Sequence, residues 1–189
     1  MCATLPAFTF HAGHPALDLP ATLTGRLKAQ QRELLASAAD LARWLVQAGL
    51  VATAPRASDA DLVLARELRE GIYAATLACI DGKAPPAHAI AAINRIAAAR
   101  SSVPKLDTRG RLRVSASTRT LLVDIARDAV RLLGSDAAER LRQCEGQTCA
   151  RLFLDTSRGG DRRWCSMAGC GNKAKVAQFR LRQREDGAG

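Results

Sequence analysis

The sequence is poor in aromatic residues and has no long apolar run. Four Phe, two Trp and one Tyr are the only aromatics among 189 residues, which excludes a core built mainly on stacked rings. No apolar run reaches the roughly 18 residues that a membrane-spanning helix needs. The first six residues lack the basic stretch followed by an apolar stretch that marks a secretory signal. We therefore expect a cytoplasmic protein without membrane association, in a reducing setting where clustered cysteines more often bind metal than form disulfides.

Recognisable catalytic motifs are also missing. We find no glycine-rich phosphate loop and no Ser/His/Asp or Cys/His arrangement in a familiar context, so the sequence predicts that the chain is not an enzyme. The 48% content of hydrophobic residues is enough for a folded core. Because alanine is abundant while aromatics are few, we expect helices that pack closely through small side chains.

Capping patterns divide the first 139 residues into helices. Ser37 with Asp40, and Ser58 with Asp61, have capping-box spacing, and apolar residues at helical spacing follow each pair. Further helices are predicted after Pro85-Pro86 and over roughly 117–133. Residues 103–114 are predicted to form a hairpin, and 8–10 and 17–19 short strands. The expected class is α+β, mostly α: a helical N-terminal domain with a small antiparallel sheet over 1–139, then a small zinc-binding module over 140–189.

Four cysteines carry the strongest signal. Cys144 and Cys149 form one C-x4-C pair, and Cys165 and Cys170 form another after an interval of 15 residues. Paired cysteines at such an interval supply four thiolates for a tetrahedral zinc ion. Two disulfides, or four unrelated thiols, are the alternative, and the paired spacing argues against both. Because four protein ligands leave no open coordination position, we expect one structural zinc ion per chain.

The two parts of the chain are expected to fold by different means. About 130 upstream residues can bury a core of their own, whereas a module of 50 residues depends on its metal. We therefore expect zinc removal to unfold the C-terminal module and to leave the helical domain folded.

Positive charge is concentrated near the C-terminus. Residues 140–189 contain 11 Lys/Arg against 5 Asp/Glu, a net charge of +6, and the other 139 residues carry the remaining +4 of a total of +10. A sequence pI near 10.1 with clustered cations is one mark of a nucleic-acid partner. A solvated basic surface that serves only solubility is the alternative.

The predicted last helix and the loop between the cysteine pairs carry these cations. If Val176 and Phe179 face the zinc core, cations line both rims of the helix and Gln178 lies on the outward arc between them, where it would read a base. The candidate DNA-binding residues are Arg158, Arg162, Arg163, Lys173, Lys175, Gln178, Arg180, Arg182 and Arg184. A zinc-stabilised protein-interaction module without direct DNA binding is the rival hypothesis.

The cysteine segment resembles the CGNR zinc finger. The resemblance covers about 45 residues and includes both C-x4-C pairs, the stretch Phe153-Leu-Asp-Thr-Ser-Arg158, the block Arg162-Arg-Trp-Cys-Ser-Met167 and Cys170-Gly-Asn-Lys-Ala-Lys175. Lys173 stands where the motif's name has arginine, an exchange that keeps a phosphate contact but weakens bidentate recognition of guanine. The resemblance implies DNA binding through this finger.

The upstream region resembles the ABATE domain that usually precedes this finger. The residues are His14-Pro-Ala-Leu-Asp-Leu-Pro-Ala-Thr-Leu23 and Ser37-Ala-Ala-Asp-Leu-Ala-Arg-Trp-Leu45. Ala21 replaces the asparagine that the family typically has before the threonine. The resemblance implies a stress-induced bacterial transcription regulator, with the helical domain as sensor of an unknown small-molecule effector or as a homodimerisation unit. No ligand-binding residues can be assigned to it from sequence.

His11, His14 and Asp18 form a second cluster of potential metal ligands. Two imidazoles and one carboxylate on a segment without clear periodicity are more typical of turn and surface residues. We expect no metal site there.

Overall fold

The computed structural model describes residues 7–101 and 103–186, except for the side chains of 112–115, 181 and 184–186. The α-helices of this part are α1 Pro15–Asp18, α2 Ala38–Gln47, α3 Asp59–Ile80, α4 Ala87–Ala97, α5 Thr118–Leu133 and α6 Asn172–Asp186. The strands are β1 Leu23–Thr24, β2 Arg32–Glu33, β3 Val103–Leu106, β4 Leu112–Ser115, β5 Leu141–Gln143 and β6 Leu152–Leu154. The mostly helical α+β class expected from the sequence is confirmed.

The predicted helix starts are present with their full capping geometry. The Ser37 hydroxyl accepts the amide proton of Asp40 at 3.2 Å, and the Asp40 carboxylate accepts the amide proton of Ser37 at 3.0 Å. Ser58 and Asp61 repeat the arrangement at the start of α3. Each box pairs two amide groups that the first turn of a helix otherwise leaves without a partner.

The strands form three two-stranded antiparallel sheets within the described residues: β1–β2, β3–β4 and β5–β6. The β3–β4 hairpin confirms the prediction for 103–114. The strands predicted at 8–10 and 17–19 are absent, and that expectation is wrong. Residues 15–18 instead form α1, because Pro15 occupies its first position and His14 Nδ1 accepts the amide proton of Ala16 at 3.3 Å.

One continuous hydrophobic core joins the helical region to the C-terminal module. Trp44, Leu68 and Leu122 are fully buried in the helices, and Phe153 of β6 is fully buried in the same cluster. The amide of Leu154 donates to the carbonyl of Ala12 at 2.7 Å. The two regions therefore share buried surface, and the boundary at 139/140 stays a prediction.

An ion network fixes the β1–β2 hairpin against α3. The buried Arg69 guanidinium contacts Glu33 of β2 at 2.7 Å and Glu70 at 2.8 Å. Arg26, between the strands, holds Glu70 through two hydrogen bonds of 2.7 and 3.0 Å and lies 4.0 Å from the centre of the Tyr73 ring. Paired guanidinium–carboxylate bonds of this kind fix orientation as well as distance, so the hairpin has a defined position against α3.

In the part of the chain that the structure describes, no helix combines the length and apolarity needed to cross a bilayer.

Candidate metal centre

The four cysteines of the two C-x4-C pairs come together in space. The sulfurs of Cys144, Cys149, Cys165 and Cys170 all lie within 4.8 Å of one another, and Cys165 Sγ is 3.8 Å from both Cys149 Sγ and Cys170 Sγ. A regular tetrahedron with zinc–sulfur bonds of roughly 2.3 Å has sulfurs about 3.8 Å apart. A disulfide needs roughly 2.05 Å, and these cysteines are free. The geometry fits one tetrahedral zinc ion with no open position.

The first pair is positioned by the β5–β6 hairpin. The amide of Cys144 donates to the carbonyl of Arg151 at 2.9 Å, and the amide of Cys149 donates to the carbonyl of Gly146 at 2.8 Å, which closes a tight turn. A Cβ atom at Gly146 would lie 3.1 Å from Cys149 Cβ and 3.4 Å from Cys170 Sγ. Glycine is therefore needed here so that the turn can approach the sulfurs closely.

The second pair lies at the start of α6. Cys170 belongs to a π-helical turn, Met167–Gly171, which the Ser166 side chain caps by accepting the amide proton of Gly169. The amide of Cys165 donates to Cys144 Sγ at 3.4 Å, a bond that stabilises a thiolate ligand. The Gly169 amide donates to Ser166 Oγ at 3.2 Å.

The pKa values of the clustered cysteines indicate that a cation is needed to neutralise the charge of the sulfurs. A hydrogen bond from Cys165 lowers the pKa of Cys149 to about 5. The same contact, together with burial, raises the pKa of Cys165. Burial and the neighbouring sulfur charge raise the pKa of Cys170 to about 11. Several thiolates cannot coexist this closely without a counter-charge, so a divalent ion is required for all four to ligate.

A buried carboxylate organises the loop between the two pairs. Asp155 has no exposed surface, and its oxygens accept the amide protons of Ser157 at 2.9 Å and Arg162 at 3.0 Å. Burial disfavours the charged form, but hydrogen bonds from Ser157 and the Arg162 amide outweigh it, so the pKa of Asp155 is lowered. The family-like stretch contained Asp155, yet nothing in its sequence pattern indicated this structural role.

Arg162 has a structural position. Its guanidinium donates to the carbonyls of Trp164 and His11, each at 3.0 Å, and to that of Cys165. It also lies 4.5 Å from the centre of the Phe153 ring. The sequence placed Arg162 on a free cationic loop. Because its guanidinium donates to backbone carbonyls, Arg162 is less available to a DNA phosphate than the exposed cations of the finger.

The other predicted cations lie on the surface. Arg158, Lys173, Lys175, Arg180 and Arg182 are exposed, and none has a carboxylate within salt-bridge distance among the described residues. Arg163 is exposed but paired with Glu145, which lowers the pKa of Glu145 and raises that of Arg163. The side chain of Arg184 lies outside the described residues.

Val176 and Phe179 of α6 are not buried against the zinc core as the sequence predicted. Val176 is 40% exposed and Phe179 is 62% exposed. Ala174, Ala177 and Gln178 border a cleft beside the first cysteine pair. Gln178 is exposed, and its base-reading role stays a prediction.

Two side chains of the N-terminal histidine cluster, His14 and Asp18, make local hydrogen bonds. His14 caps α1, and burial lowers its pKa. Asp18 accepts the amide proton of Ala12 at 3.2 Å. Among the described residues, the four cysteines are the one group of three or more side chains arranged to hold a metal ion.

The fold and the metal centre together define a helical protein with a C-terminal four-cysteine zinc finger. Residues 13–136 match the ABATE family, described as "Putative stress-induced transcription regulator", and residues 140–183 match the CGNR zinc finger. Since the first match covers more than half of the chain, the chain belongs to the ABATE family, and the resemblances seen in the motifs are confirmed. A comparison with curated proteins finds no match.

Proposed function

We propose that the chain is a zinc-dependent DNA-binding transcription regulator. The observation that carries the proposal is a group of exposed cations beside the metal centre that have no carboxylate within salt-bridge distance among the described residues. They are Arg158, Lys173, Lys175, Arg180 and Arg182. In this proposal the chain acts in the cytoplasm and has no catalytic role.

Zinc couples the cations of the loop to those of the helix. Cys165 follows the loop that holds Arg158, and Cys170 lies one turn before Lys173. A common metal therefore fixes both groups relative to each other. Cations held on a rigid scaffold suit contact with phosphates, which supply most of the affinity for duplex DNA without sequence preference.

A protein-interaction role is the second candidate, and the exposed apolar pair on α6 favours it. Val176 and Phe179 lie on the same helix as the cations. Apolar surface on a helix is also typical of protein contacts. The two candidates differ in their dependence on salt, because phosphate contacts release counterions and apolar contacts do not.

Binding of the zinc-loaded chain to a random-sequence duplex, measured by fluorescence anisotropy at several salt concentrations, tests the proposal. With about five phosphate contacts, the slope of log K against log salt should be roughly −4 to −5. Arg180→Ala should weaken binding to all sequences and flatten the slope by about one unit. Arg100→Ala, at an exposed position outside the finger, is the matched control and should change neither. No measurable DNA affinity of the zinc-loaded, folded protein at low salt would favour the protein-interaction role.

A further inference from the structure

A cleft of about 750 Å³ separates the β1–β2 hairpin from the zinc finger. One wall is the hairpin, residues 23–32, and the other is formed by the first cysteine turn and the start of α6. Its size lies within the range of small-molecule sites, roughly 300–1,000 Å³, which are frequent where two units meet.

The floor of the cleft is apolar. Pro20, Ala150 and Leu152 are buried and line it, and Leu23 is half-buried beside them. Ala174 and Ala177 of α6 continue this surface. Such a floor favours an aromatic or aliphatic group of a ligand, because burying apolar surface from both partners is favourable.

The walls carry positive charge that has no partner. Lys28, Arg32, Arg151 and Lys173 line the cleft and have no carboxylate within salt-bridge distance among the described residues. Among the described residues on the lining, Glu145 is the one carboxylate, and Arg163 already pairs with it. The cleft therefore combines an apolar floor with four uncompensated cations.

Both walls are held in place. The ion network of Arg69, Glu33 and Glu70 fixes the hairpin, and the cysteines fix the finger. A ligand held between them finds a site that is already formed, so little binding free energy is lost in ordering the walls.

We propose that this cleft binds a small organic anion. Its apolar body lies on Pro20 and Leu152, and its acidic group, a carboxylate, sulfonate or phosphate ester, is held by Arg151 and Lys28. Duplex DNA fits less well, because its bases are stacked inside the helix and its backbone offers no large apolar group to cover the floor. Binding does not depend on the proposed function, although control of DNA affinity by such a ligand would rest on it.

A matched pair of fluorescent probes tests the proposal on the zinc-loaded full chain. The anion 8-anilinonaphthalene-1-sulfonate should bind saturably at one molecule per chain. The neutral N-phenyl-1-naphthylamine has the same rings without the sulfonate and should bind about tenfold more weakly. Inorganic sulfate, the charge without the rings, should displace the probe poorly. Arg151→Gln and Lys28→Gln should each weaken the sulfonate probe roughly fivefold, the usual upper range for an exposed ion pair, whereas Arg100→Gln should not.

The same variants separate this site from the DNA interface. Arg151→Gln should weaken the probe and leave duplex affinity unchanged, while Arg180→Gln should do the reverse. Loss of both affinities in Arg151→Gln would show that the cleft is a channel for a nucleic-acid strand and would overturn the proposal. The proposal would also be overturned if the charged and neutral probes bound with equal affinity, or if all variants bound the sulfonate probe as well as the native chain does. Probe binding without DNA binding would leave the cleft assigned and remove only the proposed function.

Discussion

The helical region and the zinc finger are stabilised by different means. The helices bury large aliphatic side chains from several elements, among them Leu41, Leu68, Ile72, Leu122 and Ile125. The finger buries few apolar side chains, with Leu141, Leu152 and Phe153 as the largest, and four sulfurs take the place of a larger core. A region with so little apolar burial depends on its metal, whereas the helical region does not.

The two regions are nevertheless not independent in stability, because they share a hydrophobic core. Phe153 of the finger lies in the same cluster as Leu17 and Leu68. The sequence predicted that zinc removal would unfold the finger alone. Because loss of the finger would uncover part of the common core, we now expect the helical region to lose stability as well.

Removal of a zinc ligand should cause the largest loss of stability. Cys165→Ser should abolish stoichiometric zinc and unfold the finger, since structural zinc contributes on the order of 10 kcal/mol to folding of such modules. Elemental analysis of the purified protein gives the ratio, expected to be 1:1 in the native chain. Cys79→Ser, at a half-buried cysteine of α3, is the control and should keep its zinc. Full metal content in Cys165→Ser would refute the ligand assignment.

Loss of the Phe153 ring, which lies in the core common to the two regions, should cause the second-largest loss of stability. Phe153→Ala should cost about 3–5 kcal/mol, the usual range for a fully buried phenylalanine. In a Trp164→Phe background, denaturant unfolding followed by the fluorescence of the buried Trp44 reports on the helices. Leu106→Ala, at a position 73% exposed, should leave the transition unchanged. If Phe153→Ala leaves the midpoint of the unfolding transition reported by Trp44 unchanged, the two regions are independent.

The buried carboxylate of the finger should have a smaller effect. Asp155→Asn should cost about 1–3 kcal/mol, because the charged acceptor of two loop amides is lost. The folded pKa is lowered, so this stabilisation is present above the unfolded pKa of about 4 and is lost as pH falls through the lower folded value. Chemical denaturation at pH 7, where the thiolates still hold zinc, measures the cost of the substitution. The exposed Asp161→Asn is the control, and an equal cost in both variants would contradict the account.

The smallest expected effect is a gain of stability in the helical region. Burial raises the pKa of Asp18 to about 6, so the stability linked to its protonated form is complete below about pH 4 and is lost as pH rises through about 6. Asp18→Asn should stabilise the chain by about 1–2 kcal/mol at pH 7.5 and by little at pH 4. Thermal unfolding at the two pH values measures the difference. A gain of the same size at both would exclude titration of Asp18 as the cause.

Local patterns allowed much of this structure to be predicted. Capping boxes and paired cysteines depend on residues a few positions apart, so Ser58 with Asp61 and the four zinc ligands could be identified in the sequence. The orientation of α6 could not, because the bulky Phe179 is 62% exposed and side-chain size alone does not determine which side of a helix is buried. The role of Arg162 depends on the carbonyl of His11, 151 residues away in sequence, and no short-range pattern encodes such a contact. The cleft could not be predicted either, because its cations come from both regions and are far apart in sequence.

The most direct test of the account is the affinity for a random duplex as zinc is returned to metal-free protein at low salt. If the zinc-held finger presents the phosphate-binding cations, affinity should rise with zinc occupancy and stop rising at one ion per chain. A zinc-loaded, folded protein with no measurable affinity, or with the affinity of the metal-free chain, would contradict the account.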